Sequence, residues 1–471
     1  MDFKKLLDHK EATQNLSRRD ALKLMSISPI AAGVLASASG SSLAQASADV
    51  SGKIVIVGGG AGAIMALSRL YRAIKNPDIT IIAPNEVHLY QPGQVFVGAG
   101  KMKFDDLVLD NNNYINQEEV TWIKDEVQTF DAKNNTVTTR GGDVVPYDVL
   151  VVAAGIQYHY EDIKGLTKED IGTNGITSVY LNDLEKGTAH GATATWEWFN
   201  ALKVAAKTKK PKVIYTQPNT PIKCGGAPQK MLYLSADYLK QEGLSAEYQF
   251  VTSKAKLFSL PAIDKALHEV QATYDTITNK FQHHLKAIDV KAKKATFIHA
   301  YDVEEIDEDF GTKEIVSKAD TVVLDYDFIH VVPPMSPVDA VMHSGLLGDS
   351  GWLDVDKHTL QHKTYKNIFG IGDVCGIPMG KTGGSARHHG PVLTQNILDF
   401  MAKEELSASF DGYTVCPIKT QYGKIIMAEF NYKGPAPTMP LAFEKPRWIW
   451  WAFDLYMLKP MYQYLMLTGR F

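Results

Sequence analysis

Cysteine is scarce: Cys224, Cys375 and Cys416 are the only three in 471 residues. That is too few for a disulfide scaffold, and the odd number leaves at least one thiol free or reactive. Basic excess is missing too. Lys and Arg total 49 against 53 Asp and Glu, a formal net charge of -4, so phosphates would go unneutralised and nucleic acid is not an expected partner. No segment beyond the first residues offers the roughly twenty consecutive apolar residues that cross a bilayer. Metal-ligand spacing is also absent, so no metal is expected, and His388 and His389 read as ordinary surface or core histidines. What remains, with 45% apolar and 22% charged residues, is an ordinary globular chain long enough for two or three domains.

The opening carries an address. Ser17-Arg18-Arg19-Asp20 precedes a weakly hydrophobic run from Leu24 to about Ala38, and Ala44-Gln45-Ala46 offers a small-residue cleavage site. This predicts a twin-arginine export signal over residues 1–46 and a periplasmic mature protein. Next, Lys53-Ile54-Val55-Ile56-Val57 reads as a strand, Gly58 to Gly62 as a tight turn, and Met65, Leu67 and Leu70 as the apolar face of a helix. Gly58, Gly60 and Ala63 fit G-x-G-x-x-G/A. The first glycine makes the turn, the second lets the backbone approach a diphosphate, and the small third residue lets helix and strand pack. The acidic residue expected to hold the ribose is replaced by Ala83, with Asn85 or Glu86 as substitutes. A second apolar strand runs from Tyr147 to Gly155. A third leads into Gly372-Asp373. These two segments resemble those of FAD-dependent disulfide reductases, a likeness that implies FAD, with the Asp373 carboxylate accepting from its ribityl chain. In the second α/β unit, the strand Val213 to Thr216 leads into a loop of prolines and Cys224 in place of a second glycine fingerprint. Nicotinamide nucleotides are therefore not the expected electron donor. Cys224 opens a helix with Lys223 and Lys230 nearby, a setting that favours the thiolate. Cys375 lies two residues beyond Asp373, which brings it near the flavin and lets the two thiols meet across the ring. Cys416, before Pro417, reads as a buried structural cysteine.

Four segments carry a family resemblance: Thr216 to Lys230, His330 to Pro337, Phe369 to Cys375, and Tyr413 to Phe430. They resemble the sulfide:quinone oxidoreductases, glutathione-reductase-like flavoproteins with two dinucleotide-binding domains, and in particular the branch that includes the mitochondrial enzymes. The likeness runs from about Lys53 onward. It implies an FAD enzyme that oxidises sulfide at a Cys224–Cys375 bridge, with the persulfide on Cys375 and the thiolate on Cys224, and passes electrons to ubiquinone or menaquinone. It also places Lys381 near the flavin or the quinone head.

The tail, with Trp448, Trp450, Trp451, Phe453, Tyr456, Tyr462 and Tyr464 broken by Pro460, reads as two short amphipathic helices lying on a membrane surface. The expected architecture is α/β: an FAD-binding Rossmann domain in two parts (53–165 and 326–410), an inserted Rossmann-like domain (166–325), and an amphipathic membrane-associating region (411–471). A homo-oligomer is left open. Competing readings are the flavoprotein subunit of a flavocytochrome c sulfide dehydrogenase and a non-catalytic sulfane-sulfur carrier or redox sensor.

Overall fold

The computed structural model describes residues 47–471 apart from 185, 186, 189, 275 and 307–312, so the twin-arginine segment lies outside the described residues. Two parallel sheets organise the chain. In the first, Lys53–Val57 pairs with Asp78–Ile82 on one side and Val149–Val152 on the other, and Thr121–Ile123 and Ile368–Gly370 form the edges. Ile54 to Val57 and Val149 to Val152 are buried on both faces, which is why they read as unbroken apolar runs rather than alternating ones. The helix Ala61–Ala73 turns Ala63, Ile64, Met65, Leu67 and Leu70 into the core and crosses to the second strand. In the second sheet, Lys212–Gln217 lies between Glu247–Thr252 and Phe328–His330, with Ile176–Thr177 and Ile277–Lys280 outermost. The fold is thus two Rossmann-like units, the second inserted into the first.

The strand-like run Thr321 to Leu324 does not enter this sheet. It belongs to an antiparallel hairpin, Lys294–Ile306 with Lys313–Asp325, and Phe328–His330 supplies the parallel strand instead. The tail also departs from expectation. It forms one nine-residue helix, Trp448–Tyr456, then a turn at Leu458–Met461 and a single π turn at Tyr462–Met466. Much of its aromatic surface packs inward: Trp451 meets Phe96 edge-on at 5.2 Å and Tyr462 meets Tyr90 at 5.1 Å. An amphipathic pattern cannot tell a core-facing stripe from a lipid-facing one, and here one flank is core. Among the described residues no helix is long and apolar enough to cross a membrane.

Candidate active site

The glycine loop is shaped by close approach on one side and open space on the other. Gly58, at φ +124°, sits where an added Cβ would lie 2.4 Å from the Ala153 carbonyl oxygen, so only glycine lets the two strands run together here. Gly60, Gly155 and Gly372 each face open space, and Gly60 begins the helix without any side-chain cap. Backbone N–H groups at that helix start are therefore available to a diphosphate, and a Cβ at these glycines would fill the room it needs. Ala63 is fully buried against the strand. Asn111, which the sequence did not single out, braces the loop: its amide donates to the carbonyls of Gly59 (3.3 Å) and Asn85 (3.0 Å), and its oxygen meets His88 Nδ1 at 2.6 Å. Glu86 is taken up by an exposed ion pair with Lys124. These residues fit FAD.

At the Gly372-Asp373 turn, the Gly372 N–H donates to Nδ1 of the buried His389 at 3.2 Å. Burial lowers that imidazole to about 3, so it stays neutral and can accept. Asp373 is half-buried and raised above the usual carboxylate range by burial, an effect that Lys381 and Lys223 oppose. Lys381 donates to the carbonyls of Asp373 (2.6 Å) and Cys375 (2.9 Å) while its ammonium rests over the Trp352 ring. It therefore pins the loop.

The cysteines are arranged differently from the expected pair. Cys224 Sγ lies 3.0 Å from Cys416 Sγ and 3.1 Å from Lys230 Nζ. The expected Cys224–Cys375 pairing is corrected. After the short turn Gly372–Val374, the Cys375 side chain points into the core. An added Cβ on Gly370 would sit 3.0 Å from its sulfur, and burial pushes its thiol up to about 12. Cys416 is buried as expected, but its sulfur meets that of Cys224 rather than merely filling space. Cys224 itself is half-buried and held at φ +52°, a left-handed conformation that costs a β-carbon residue about 1–2 kcal/mol. Its N–H donates to the Lys381 carbonyl at 2.8 Å and its carbonyl accepts from Ala227 at 2.7 Å. The bond from Cys416 lowers the Cys224 thiol well below its ordinary range. Burial opposes this, and Lys230 and Lys419 reinforce it. Lys223 points elsewhere, to Gln91 Oε1 at 2.6 Å and the Tyr158 hydroxyl.

Gly226 makes the sulfur contact possible. An added Cβ there would lie 2.9 Å from Cys416 Sγ and 3.3 Å from Ile418, although its backbone (φ -87°) suits any residue. We expect Gly226→Ala to push the sulfurs apart and slow oxidative closure of the pair by about tenfold or more. Thiol counting by mass after mild oxidation would read this; an unchanged rate would show that the glycine is dispensable.

Two thiols in contact with a lysine beside them, and a glycine loop open to a diphosphate on two Rossmann-like units, fit an FAD-dependent oxidoreductase of the disulfide-reductase type. Residues 52–190 match the pyridine nucleotide-disulphide oxidoreductase family. The chain is 37% identical over 384 residues to the mitochondrial sulfide:quinone oxidoreductase of Dictyostelium discoideum (81% of this chain, 78% of that one). It is 33% identical over 422 residues to that of Mus musculus (88% and 86%). The crystal structure of the sulfide:quinone oxidoreductase from Aquifex aeolicus superposes with a TM-score of 0.65 at 21% identity, covering 88% of this chain and 92% of that one. The chain belongs to the sulfide:quinone oxidoreductase family.

Proposed function

We propose that the protein oxidises sulfide at a Cys224–Cys416 bridge and delivers the two electrons through FAD to a membrane quinone. The observation that carries this is the 3.0 Å approach of the two sulfurs beside Lys230. Hydrosulfide adds to one sulfur of the oxidised bridge and the S–S bond breaks. One cysteine keeps a persulfide while the other leaves as a thiolate. Cys224 suits the thiolate role, because Lys230 and the Cys416 hydrogen bond both favour its charge. Bound FAD supplies the two-electron acceptor between thiolate and quinone, with Gly58, Gly60, Ala63, Gly155, Gly372 and Asp373 as its holders and Lys381 as the brace of its loop. The test is anaerobic addition of sulfide to the flavin-loaded protein, followed by a short-chain quinone. Bleaching of the flavin band and recovery on quinone addition are expected. Bleaching without recovery would move the acceptor to a cytochrome, and no bleaching would remove sulfide as donor.

Quinone is apolar, so the protein must reach the bilayer surface. Support comes from the outer flank of the tail, where Phe453, Tyr456, Met457, Leu458 and Met461 are only half-buried and Tyr464 is 66% exposed, flanked by Lys459 and Arg470. Removing everything after Pro446 would also strip core aromatics, so point changes are the cleaner probe. We expect Met461→Glu with Tyr464→Glu to weaken vesicle binding by about tenfold or more while sulfide-driven bleaching stays intact. Undiminished sedimentation with vesicles would count against the contact. The twin-arginine pattern supports a periplasmic site of action, although the relatives above carry mitochondrial names.

A further inference from the structure

A second buried charge pair stands behind the cysteines. Lys419 lies three residues beyond Cys416 on the strand Thr414–Gln421, and an irregular register between Lys419 and Gln421 accompanies its turn into the interior. Its ammonium is 2.5 Å from Asp454 Oδ2, with side-chain exposures of 2% and 0%, and it lies 4.6 Å from the centre of the Phe96 ring. Asp454 comes from the helix Trp448–Tyr456, and its other oxygen has no hydrogen-bond partner among the described residues. Such an arrangement is poor stabilisation: desolvating both charges offsets most of their attraction, and apolar replacements of similar volume are often neutral or better. Packing alone gives no reason for it.

Its surroundings do. The groups whose charges act on Cys224 are Lys230 from the helix Ala227–Gln241, Cys416 and Lys419 from the final hairpin, Lys223 from its own loop, Tyr180, and Asp373 from the flavin loop. Lys419 thus stands on the strand that carries Cys416, whose sulfur is 3.0 Å from that of Cys224, and this strand packs against the helix that carries Lys230. Burial works to discharge Lys419, and Asp454 is the chief influence holding its proton.

We propose that Lys419 and Asp454 are positioning residues for the thiol pair: Asp454 keeps Lys419 charged, and Lys419 with Lys230 keeps Cys224 anionic. This deepens the reading of Cys224 as the nucleophile and rests on it. The seat of the aromatic helix is thereby tied to the reactivity of a sulfur on a different element.

The test is the pH profile of Cys224 alkylation by iodoacetamide in the reduced, flavin-loaded protein, read by peptide mass spectrometry. Lys419→Met should move the labelling midpoint to higher pH, making labelling at pH 6 about tenfold slower. Asp454→Asn should do the same, because an unsupported buried lysine loses its proton. The double variant Lys419→Met with Asp454→Asn should match either single one, since both remove one charge; it also leaves no unpaired ion that would prevent folding. Midpoints that stay put, or single effects that add in the double variant, would overturn the proposal. Sulfide-driven bleaching of the unsubstituted protein tests the underlying reading separately, so failure of one is distinguishable from failure of the other.

Discussion

Cys416→Ser is expected to lower the rate of sulfide-driven flavin bleaching by about a thousandfold or more, while Cys375→Ala stays within about threefold of the unsubstituted protein. A serine at 416 keeps the volume and a hydrogen-bond donor to Cys224 but cannot form the sulfur bridge that hydrosulfide must open. Flavin content, read from the visible spectrum, should be unchanged, because neither 224 nor 416 belongs to the diphosphate cradle. Cys375 is fully buried with its thiol pushed up to about 12, so it holds essentially no thiolate near neutrality. Alanine gives up the sulfur that lies beside Gly370 and leaves a small cavity, but adds no polar atom to the core. Reversed results, with Cys375→Ala inactive and Cys416→Ser active, would restore the Cys224–Cys375 bridge and refute the pair described above.

The second large effect is expected at Lys230. Its ammonium lies 3.1 Å from Cys224 Sγ, and although burial works against its charge, the Cys224 and Cys416 sulfurs more than reverse this and raise it above the ordinary lysine range. Cation and thiolate support each other. Lys230→Gln keeps a donor and most of the length but removes the charge. The Cys224 thiol then rises, and alkylation at pH 7 should slow by about tenfold or more. The sign follows from the depressed native value: loss of the cation moves the labelling midpoint to higher pH, so below that midpoint the variant labels more slowly than the unsubstituted protein. A flat, unshifted profile would mean that the Cys416 hydrogen bond alone sustains the thiolate. Cys375 should stay unlabelled in both.

Local features of the fold were legible and distant ones were not. Strand, glycine turn and helix from Lys53 to Ala73 follow from a continuous apolar run, a close approach that only Gly58 permits, and a helical apolar face, all within one short stretch. The second unit was equally plain from Val213 to Thr216, but its last strand was missed because Thr321 to Leu324 is the richer in β-branched residues, while Phe328–His330 is only three residues long and is marked as a strand by its pairing alone. The partner of Cys224 was misread for a related reason. Cys375 is close in sequence to a flavin residue, yet one short turn aims its side chain away from the site. Cys416, 192 residues from Cys224, is brought in by the packing of a helix on a hairpin that no spacing rule anticipates. A signal was present: Cys416 sits inside the Tyr413 to Phe430 segment that resembles the family, and that segment also holds Lys419.

That distance sets an order of events during synthesis. Cys224 leaves the ribosome long before Cys416, Lys419 and Asp454, so the nascent chain carries it with Lys230 close in sequence but without its sulfur partner. Only when the final hairpin docks does the sulfur acquire its partner. The sulfur–sulfur contact is therefore a property of the finished fold, and a partly made or partly unfolded chain cannot close that bridge.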